Sequence, residues 1–123
     1  MYVRYYKGTK NKYGAKKTVY NGRTYDSKKE AEYSETLDRL KKAVNPADRV
    51  VDIEYQPAFT LQEAFTDKNG NKHRALTYKA DFRVTYGDGR VEIVDVKGMK
   101  TEVYKIKKKL LLYKFPDIDF KEV

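Results

Sequence analysis

The sequence predicts a mixed α+β (α/β) domain, with a central mixed sheet flanked by two helices in the order α-β-β-β-α-β. Three observations lead there. Ser27-Lys28-Lys29-Glu30 is a capping-box pattern that opens a helix. Residues 73–86 alternate apolar and polar side chains, the period of a strand. Thr101 then introduces a second helical stretch after another apolar strand.

Composition narrows the class. The chain has 123 residues, enough for one domain with a modest core. Its 27 Lys and Arg outnumber 18 Asp and Glu, a formal charge of +9 that favours a polyanionic partner, most simply nucleic acid. Passive binders share such a charge, so it does not by itself imply catalysis. Zero cysteines exclude disulfides and thiolate zinc sites, and a single His73 argues against a multi-histidine metal site. No role is assigned to His73. No apolar run reaches membrane-span length and the start lacks a signal peptide's hydrophobic stretch, so a cytoplasmic protein without a membrane partner is expected.

Each element follows from local chemistry. Residues 1–25 form a basic, tyrosine-rich arm, and residues 26–123 a single domain. Seven basic residues and no acidic one precede Asp26, with six of the twelve tyrosines (Tyr2, Tyr5, Tyr6, Tyr13, Tyr20 and Tyr25). Such an arm either grips nucleic acid by stacking and phosphate contacts or is a mobile, solvated tail whose tyrosines partly pack back on the domain. Asn21-Gly22 within it signals a tight hairpin. The first helix is expected from Ser27 to about Ala43, with Ala31, Leu37 and Leu40 on its apolar face and Asn45-Pro46 ending it. Val50–Tyr55 reads as a strand broken by Gln56-Pro57, and Phe59–Phe65 as a second. From His73 to Tyr86, Leu76, Tyr78, Ala80, Phe82, Val84 and Tyr86 share one face and Asp81 the other. Arg90–Lys97 is apolar on both faces, which suits a central strand. The second helix runs to about Lys114, with Val103, Ile106, Leu110 and Tyr113 as its apolar stripe, and Ile118–Val123 adds an edge strand.

The chemistry centres on three residues. Asp95 and Lys97 lie two apart, so both project from one face of a strand, roughly 7 Å apart. Asp95 continues the row of Val91 and Ile93, where a carboxylate is costly unless a cation pairs with it. Mg²⁺, or Mn²⁺ in its place, would do so, with Asp81 from the adjacent strand and the Val96 carbonyl as further ligands. A cation there lowers the pKa of water near a phosphodiester, and Lys97 is placed to orient that water or neutralise developing charge. The plainer alternative is a surface ion pair of Asp95 and Lys97, worth at most about 1 kcal/mol. Glu30 is either a helix cap or a fourth ligand, with Glu32 and Glu35 behind it. Gln56, at a strand end, is a possible auxiliary contact to water or phosphate. Lys16, Lys17 and Arg23 in the arm, and Lys100, Lys105, Lys108 and Lys109 around the second helix, are candidate DNA-backbone contacts.

These residues resemble the PD-(D/E)XK nuclease superfamily. Asp81, Asp95-Val96-Lys97 and a helix-borne Glu30 carry the likeness, with Ala80-Asp81 where that superfamily often has Pro-Asp. Tyr25-Asp26-Ser27-Lys28-Lys29-Glu30-Ala31, Tyr55-Gln56-Pro57, Tyr78-Lys79-Ala80-Asp81-Phe82, Asp95-Val96-Lys97-Gly98 and Thr101-Glu102-Val103-Tyr104-Lys105-Ile106-Lys107 more closely resemble small bacteriophage and prophage proteins assigned to it. The likeness spans roughly residues 20 to 115. It implies a restriction-endonuclease-like core and Mg²⁺-dependent hydrolysis of DNA phosphodiester bonds. Asp81 and Asp95 would be metal ligands, Lys97 the catalytic lysine and Glu30 a helix-borne ligand. Holliday junction resolvases are prominent among the small stand-alone members and work as homodimers, so a phage-encoded resolvase on four-way DNA is the leading expectation. No small-molecule substrate is expected. A flap, nicking or less selective nuclease, or a non-catalytic nucleic-acid-binding module, are the alternatives.

Overall fold

A computed structural model describes the backbone of residues 4–10 and 16–123, and side chains from residue 17 onward. Tyr2 and Tyr13, and the side chains of Tyr5, Tyr6 and Lys16, therefore lie outside the described residues. The architecture is α+β, with two helices around a mixed sheet. Strands β1 (Arg4–Lys10), β2 (Lys16–Tyr20) and β3 (Arg23–Tyr25) form an antiparallel sheet. Asn21 and Gly22 turn β2 into β3 with φ of 51° and 77°, the left-handed pair that an Asn-Gly hairpin requires. Helix α1 spans Lys28–Leu40, shorter than the stretch to Ala43 that the sequence suggests, because residues 41–42 leave the helix as a turn. Ser27 caps it, its Oγ accepting the Glu30 N–H at 3.1 Å.

The main sheet contains β4 (Val50–Tyr55), β9 (Phe82–Tyr86), β10 (Val91–Asp95) and β11 (Phe120–Glu122) in the order β11-β10-β9-β4. Only β10 and β11 run parallel, joined through helix α2 (Glu102–Lys114). Strand β10 is central and β11 an edge, as the sequence indicates. Strands β5 (Ala58–Gln62) and β8 (Leu76–Lys79) form a separate ribbon, with the small hairpin β6 (Phe65–Thr66) and β7 (Lys72–His73) at its tip.

The expected single strand over residues 73–86 is interrupted at Ala80-Asp81. The register pairing Tyr55 with Phe82 is the same one that pairs Ala58 with Lys79, so β4-β5 and β8-β9 are one long antiparallel ladder bent in its middle. Pro57 has no N–H to give, and Gln56 before it adopts a left-handed φ of 53°. The bend redistributes the expected apolar face. Phe82, Val84 and Tyr86 pack under α1 with Tyr25, Leu37 and Val94. Tyr78 and Ala80 instead join Ile93, Tyr104 and Leu111 under α2. Phe82 is fully buried, with the Tyr33, Tyr55 and Tyr25 rings 5.6, 5.9 and 6.4 Å from its own.

The apolar stripe expected for α2 is also corrected. Tyr104 and Leu111 are its buried positions, while Val103, Ile106, Leu110 and Tyr113 are 62, 59, 38 and 87 % exposed. Tyr104 fixes the helix's rotation, because its hydroxyl bonds Glu122 and its ring packs beside Tyr78. No helix among the described residues is long and apolar enough to cross a membrane.

Candidate functional site

Asp81 sits at the bend, where three chain segments meet. Its N–H donates to the Val94 carbonyl at 3.0 Å and its carbonyl accepts the Gln56 N–H at 2.9 Å. Its Oδ2 accepts the Val96 N–H at 2.7 Å, across the gap where β9 and β10 separate. The β9–β10 ladder ends at the pair Phe82–Val94, and the Asp81 N–H still bonds the Val94 carbonyl, so Asp81 and Asp95 each lie just past that last pair. Two carboxylates from adjoining strands are thus held at one end of the sheet.

Asp95 is 1 % exposed. Its Oδ2 accepts the Tyr78 hydroxyl. Its Oδ1 lies 3.0 Å from the Lys97 Nζ, yet no described donor meets it with good hydrogen-bond alignment. The ammonium instead shares its attraction with the Tyr104 ring, whose centroid is 4.3 Å away. Burial raises the Asp95 pKa, opposed by Lys97 and reinforced by Glu122. Burial likewise raises that of Asp81, against the Val96 hydrogen bond and Lys97.

Glu30 completes the cluster. Ser27 caps its N–H, and its own carboxylate turns inward to a cavity of about 270 Å³, walled also by Arg23, Thr24, Tyr25, Tyr55, Gln56 and Asp81. Burial, and then the charges of Asp81, Asp26 and Asp95, push its pKa up to about 8. Glu32 and Glu35 point elsewhere, paired with Lys28 at 3.7 Å and with Arg39.

Burial is the first cause of each upward shift, so ionising these carboxyls together is costly unless a cation pairs with them. This is the environment a hard divalent cation relieves. Among the described residues no three His, Cys, Asp or Glu side chains converge into a preformed cage. The donor set therefore fits an ion held by the Asp81 and Asp95 carboxylates with water filling other positions, the usual habit of Mg²⁺.

The basic residues divide into two groups. Arg23 lines the cavity, its guanidinium 3.7 Å from the Tyr55 ring centre. Lys17 lies on β2. Around α2, Lys100 and Lys108 lie 2.9 and 3.1 Å from the two Glu122 carboxylate oxygens, and Lys105 lies 3.3 Å from Glu102. Lys109 is exposed beside them. Two arm tyrosines turn inward rather than toward solvent. Tyr25 bonds Ser34 at 2.7 Å inside the core, and the Tyr20 hydroxyl donates to Asp38 at 2.7 Å.

Sequence reasoning missed Tyr78, Tyr104 and Glu122. Glu122 is the parallel-strand partner of Asp95, and its pKa falls to about 2 under the Tyr104, Lys100 and Lys108 contacts. No local signal reveals that pairing. Tyr78 was visible as an inward residue, but its hydroxyl's reach to Asp95 depends on the bend.

Comparison with known proteins gives one match, a family described as a protein of unknown function (DUF1064), over residues 10–123. The chain belongs to that family. No curated protein and no solved structure matches it. The DUF1064 match takes in every candidate residue described above, from Lys16 to Glu122.

Proposed function

We propose that this DUF1064 chain is a Mg²⁺-dependent endodeoxyribonuclease, most specifically a Holliday junction resolvase that acts as a homodimer. One observation carries the reading: Asp81, tied to the Val96 N–H at 2.7 Å, and the buried Asp95 lie at the same end of adjoining strands, with Lys97 3.0 Å from Asp95. A surface ion pair does not account for an Asp95 that is 1 % exposed.

Asp81 and Asp95 would hold the cation, with Glu30 on the cavity side as a further carboxylate. When bound, the ion supplies charge neutralisation at the scissile phosphate and acidifies a water. The chain's own residues do the remaining work. Tyr78 fixes Asp95 by its hydrogen bond, and Val96 fixes Asp81. Lys97, at the edge of the site and 26 % exposed, faces a phosphate with a positive charge and donates to the attacking water or a non-bridging oxygen. Lys105 and Lys109 line a separate hollow beside Tyr104 on α2 and suit further backbone phosphates. A four-way junction needs paired incisions, which two copies about a two-fold axis would supply. The apolar stripe left exposed on α2 offers a surface for that pairing. In this reading the protein is phage-encoded and works on DNA in the host cytoplasm.

Labelled four-way junctions, flaps and linear duplex incubated with Mg²⁺ test the proposal. The wild type should nick the junction symmetrically and faster than the duplex. Asp95→Asn should lower cleavage by at least about a thousandfold while junction binding persists. Intact strands in every lane would leave a non-catalytic binder, and equal cutting of duplex would point to a less selective nuclease.

A further inference from the structure

Gln56 is strained, and it is strained at the wall of the site. Its φ of 53° is left-handed, a region L side chains enter at a cost, and the ring of Pro57 restricts it further. Glycine would take this conformation freely, as Gly22 does in the β2–β3 turn. The strained backbone is held by the Gln56 N–H bond to the Asp81 carbonyl at 2.9 Å and by the return bond from the Ala80 N–H to the Pro57 carbonyl at 3.0 Å. Gln56 therefore lines the same cavity as Glu30 and Asp81.

Arg23 stands on the other side of that cavity. Arg23 is exposed, and its guanidinium carbon lies over the Tyr55 ring, 3.7 Å from its centre, which holds the group at the cavity by cation–π attraction. No carboxylate among the described residues forms an ion pair with it. Glu30 and Asp81 line the cavity without pairing with it. A guanidinium held over a ring, with no carboxylate partner among the described residues, and a primary amide thus share a cavity with Glu30 and Asp81. A guanidinium can bind a phosphate's non-bridging oxygens in bidentate fashion, and a primary amide can donate a further N–H to one of them.

We propose that Arg23 and Gln56 form a phosphodiester clamp, gripping the DNA backbone beside the scissile phosphate, and that the left-handed turn is retained because it aims the Gln56 amide. This rests on the nuclease reading for its substrate. The clamp itself is a binding site, and binding tests it independently of cleavage. Both are positioning residues, with no part in bond making.

Three readouts decide it: melting temperature, affinity for a labelled junction with Ca²⁺ replacing Mg²⁺, and cleavage with Mg²⁺. Gln56→Gly should melt roughly 2–4 °C higher through relief of strain, yet bind and cleave several-fold more weakly. Gln56→Ala keeps the strain and loses the amide, so it should melt near wild type and show the same loss of binding. Arg23→Ala should bind about tenfold more weakly, and Arg23→Lys should recover only part of that. Variants at Gln56 that bind and cut like wild type would make the turn purely structural and overturn the clamp, as would unchanged affinity in Arg23→Ala. A wild type that cuts nothing, with Arg23→Ala and Gln56→Ala still losing affinity, would sink the nuclease reading and leave the clamp standing.

Discussion

Asp81 accepts the main-chain N–H of Val96 at 2.7 Å, so the carboxylate at the end of one strand is tied to the residue between Asp95 and Lys97 on the next. The bond orients Asp81 toward the opening between β9 and β10. A solvated surface aspartate would have no such restraint. A main-chain donor thereby satisfies one of the two Asp81 oxygens.

Stability of the metal-free protein should fall as pH rises. Glu30 has a pKa of about 8 when folded against an ordinary value of 4.5, chiefly through burial and then through Asp81. Between those values the folded state keeps a proton that the unfolded chain releases, so each pH unit costs up to about 1.4 kcal/mol. Asp81 and Asp95, both raised by burial, act in the same direction from the acid side. Thermal melts in EDTA from pH 5 to pH 8.5 should decline, and Glu30→Gln should flatten the slope. A wild-type curve that climbs over this range would show that the buried acids are charged at little cost.

Tyr104 should act on Lys97 through its ring and on α2 through its hydroxyl. The ring centroid lies 4.3 Å from the lysine Nζ, and the hydroxyl bonds Glu122. Tyr104→Phe keeps the ring and should retain most activity, with a melting temperature lower by a few degrees. Tyr104→Leu should lower kcat about tenfold and raise KM little, because the lysine is present but unheld. Steady-state kinetics of the two variants separate these effects; equal losses would assign Tyr104 to packing alone.

The two helices show what sequence reveals and what it cannot. Ser27 and Thr101 are legible as caps because a hydroxyl three residues before its N–H partner is a local pattern, and both side chains accept those bonds at 3.1 Å. The buried side of α2 is not legible. Val103, Tyr104, Ile106, Leu110, Leu111 and Tyr113 put apolar groups around most of the helix, so more than one stripe fits the period. Tyr104 wins because Glu122 and Tyr78 meet it, and Leu111 because it joins the same buried cluster with Ile93 and Ala80, contacts made by strands distant in sequence. Asp95 was readable as buried from the Ile93 row it continues, and Lys97 followed from its spacing. Glu30 was not separable from an ordinary cap, since only the packing of α1 beside the bend turns its carboxylate inward.

The exposed stripe of α2 should mediate the proposed dimer. Ile106 is 59 % exposed and Tyr113 87 %, with Leu110 between them at 38 %. Ile106→Glu places a charge in that stripe and should shift sedimentation from dimer to monomer while the melting profile of the monomer is kept. Strand cleavage of a junction would then become single nicks rather than paired ones. A wild type that sediments as a monomer at tens of micromolar would assign the stripe another role.

Asp81 and Asp95 sharing one divalent ion is the claim on which the function turns, and Mn²⁺ titration followed by electron paramagnetic resonance measures it without reference to any substrate. The wild type should bind Mn²⁺ with a spectrum distinct from the aqua ion, and Asp81→Asn and Asp95→Asn should each weaken that same site by at least about tenfold. Wild-type Mn²⁺ affinity in both variants, or no bound Mn²⁺ in the wild type at millimolar metal, would contradict it.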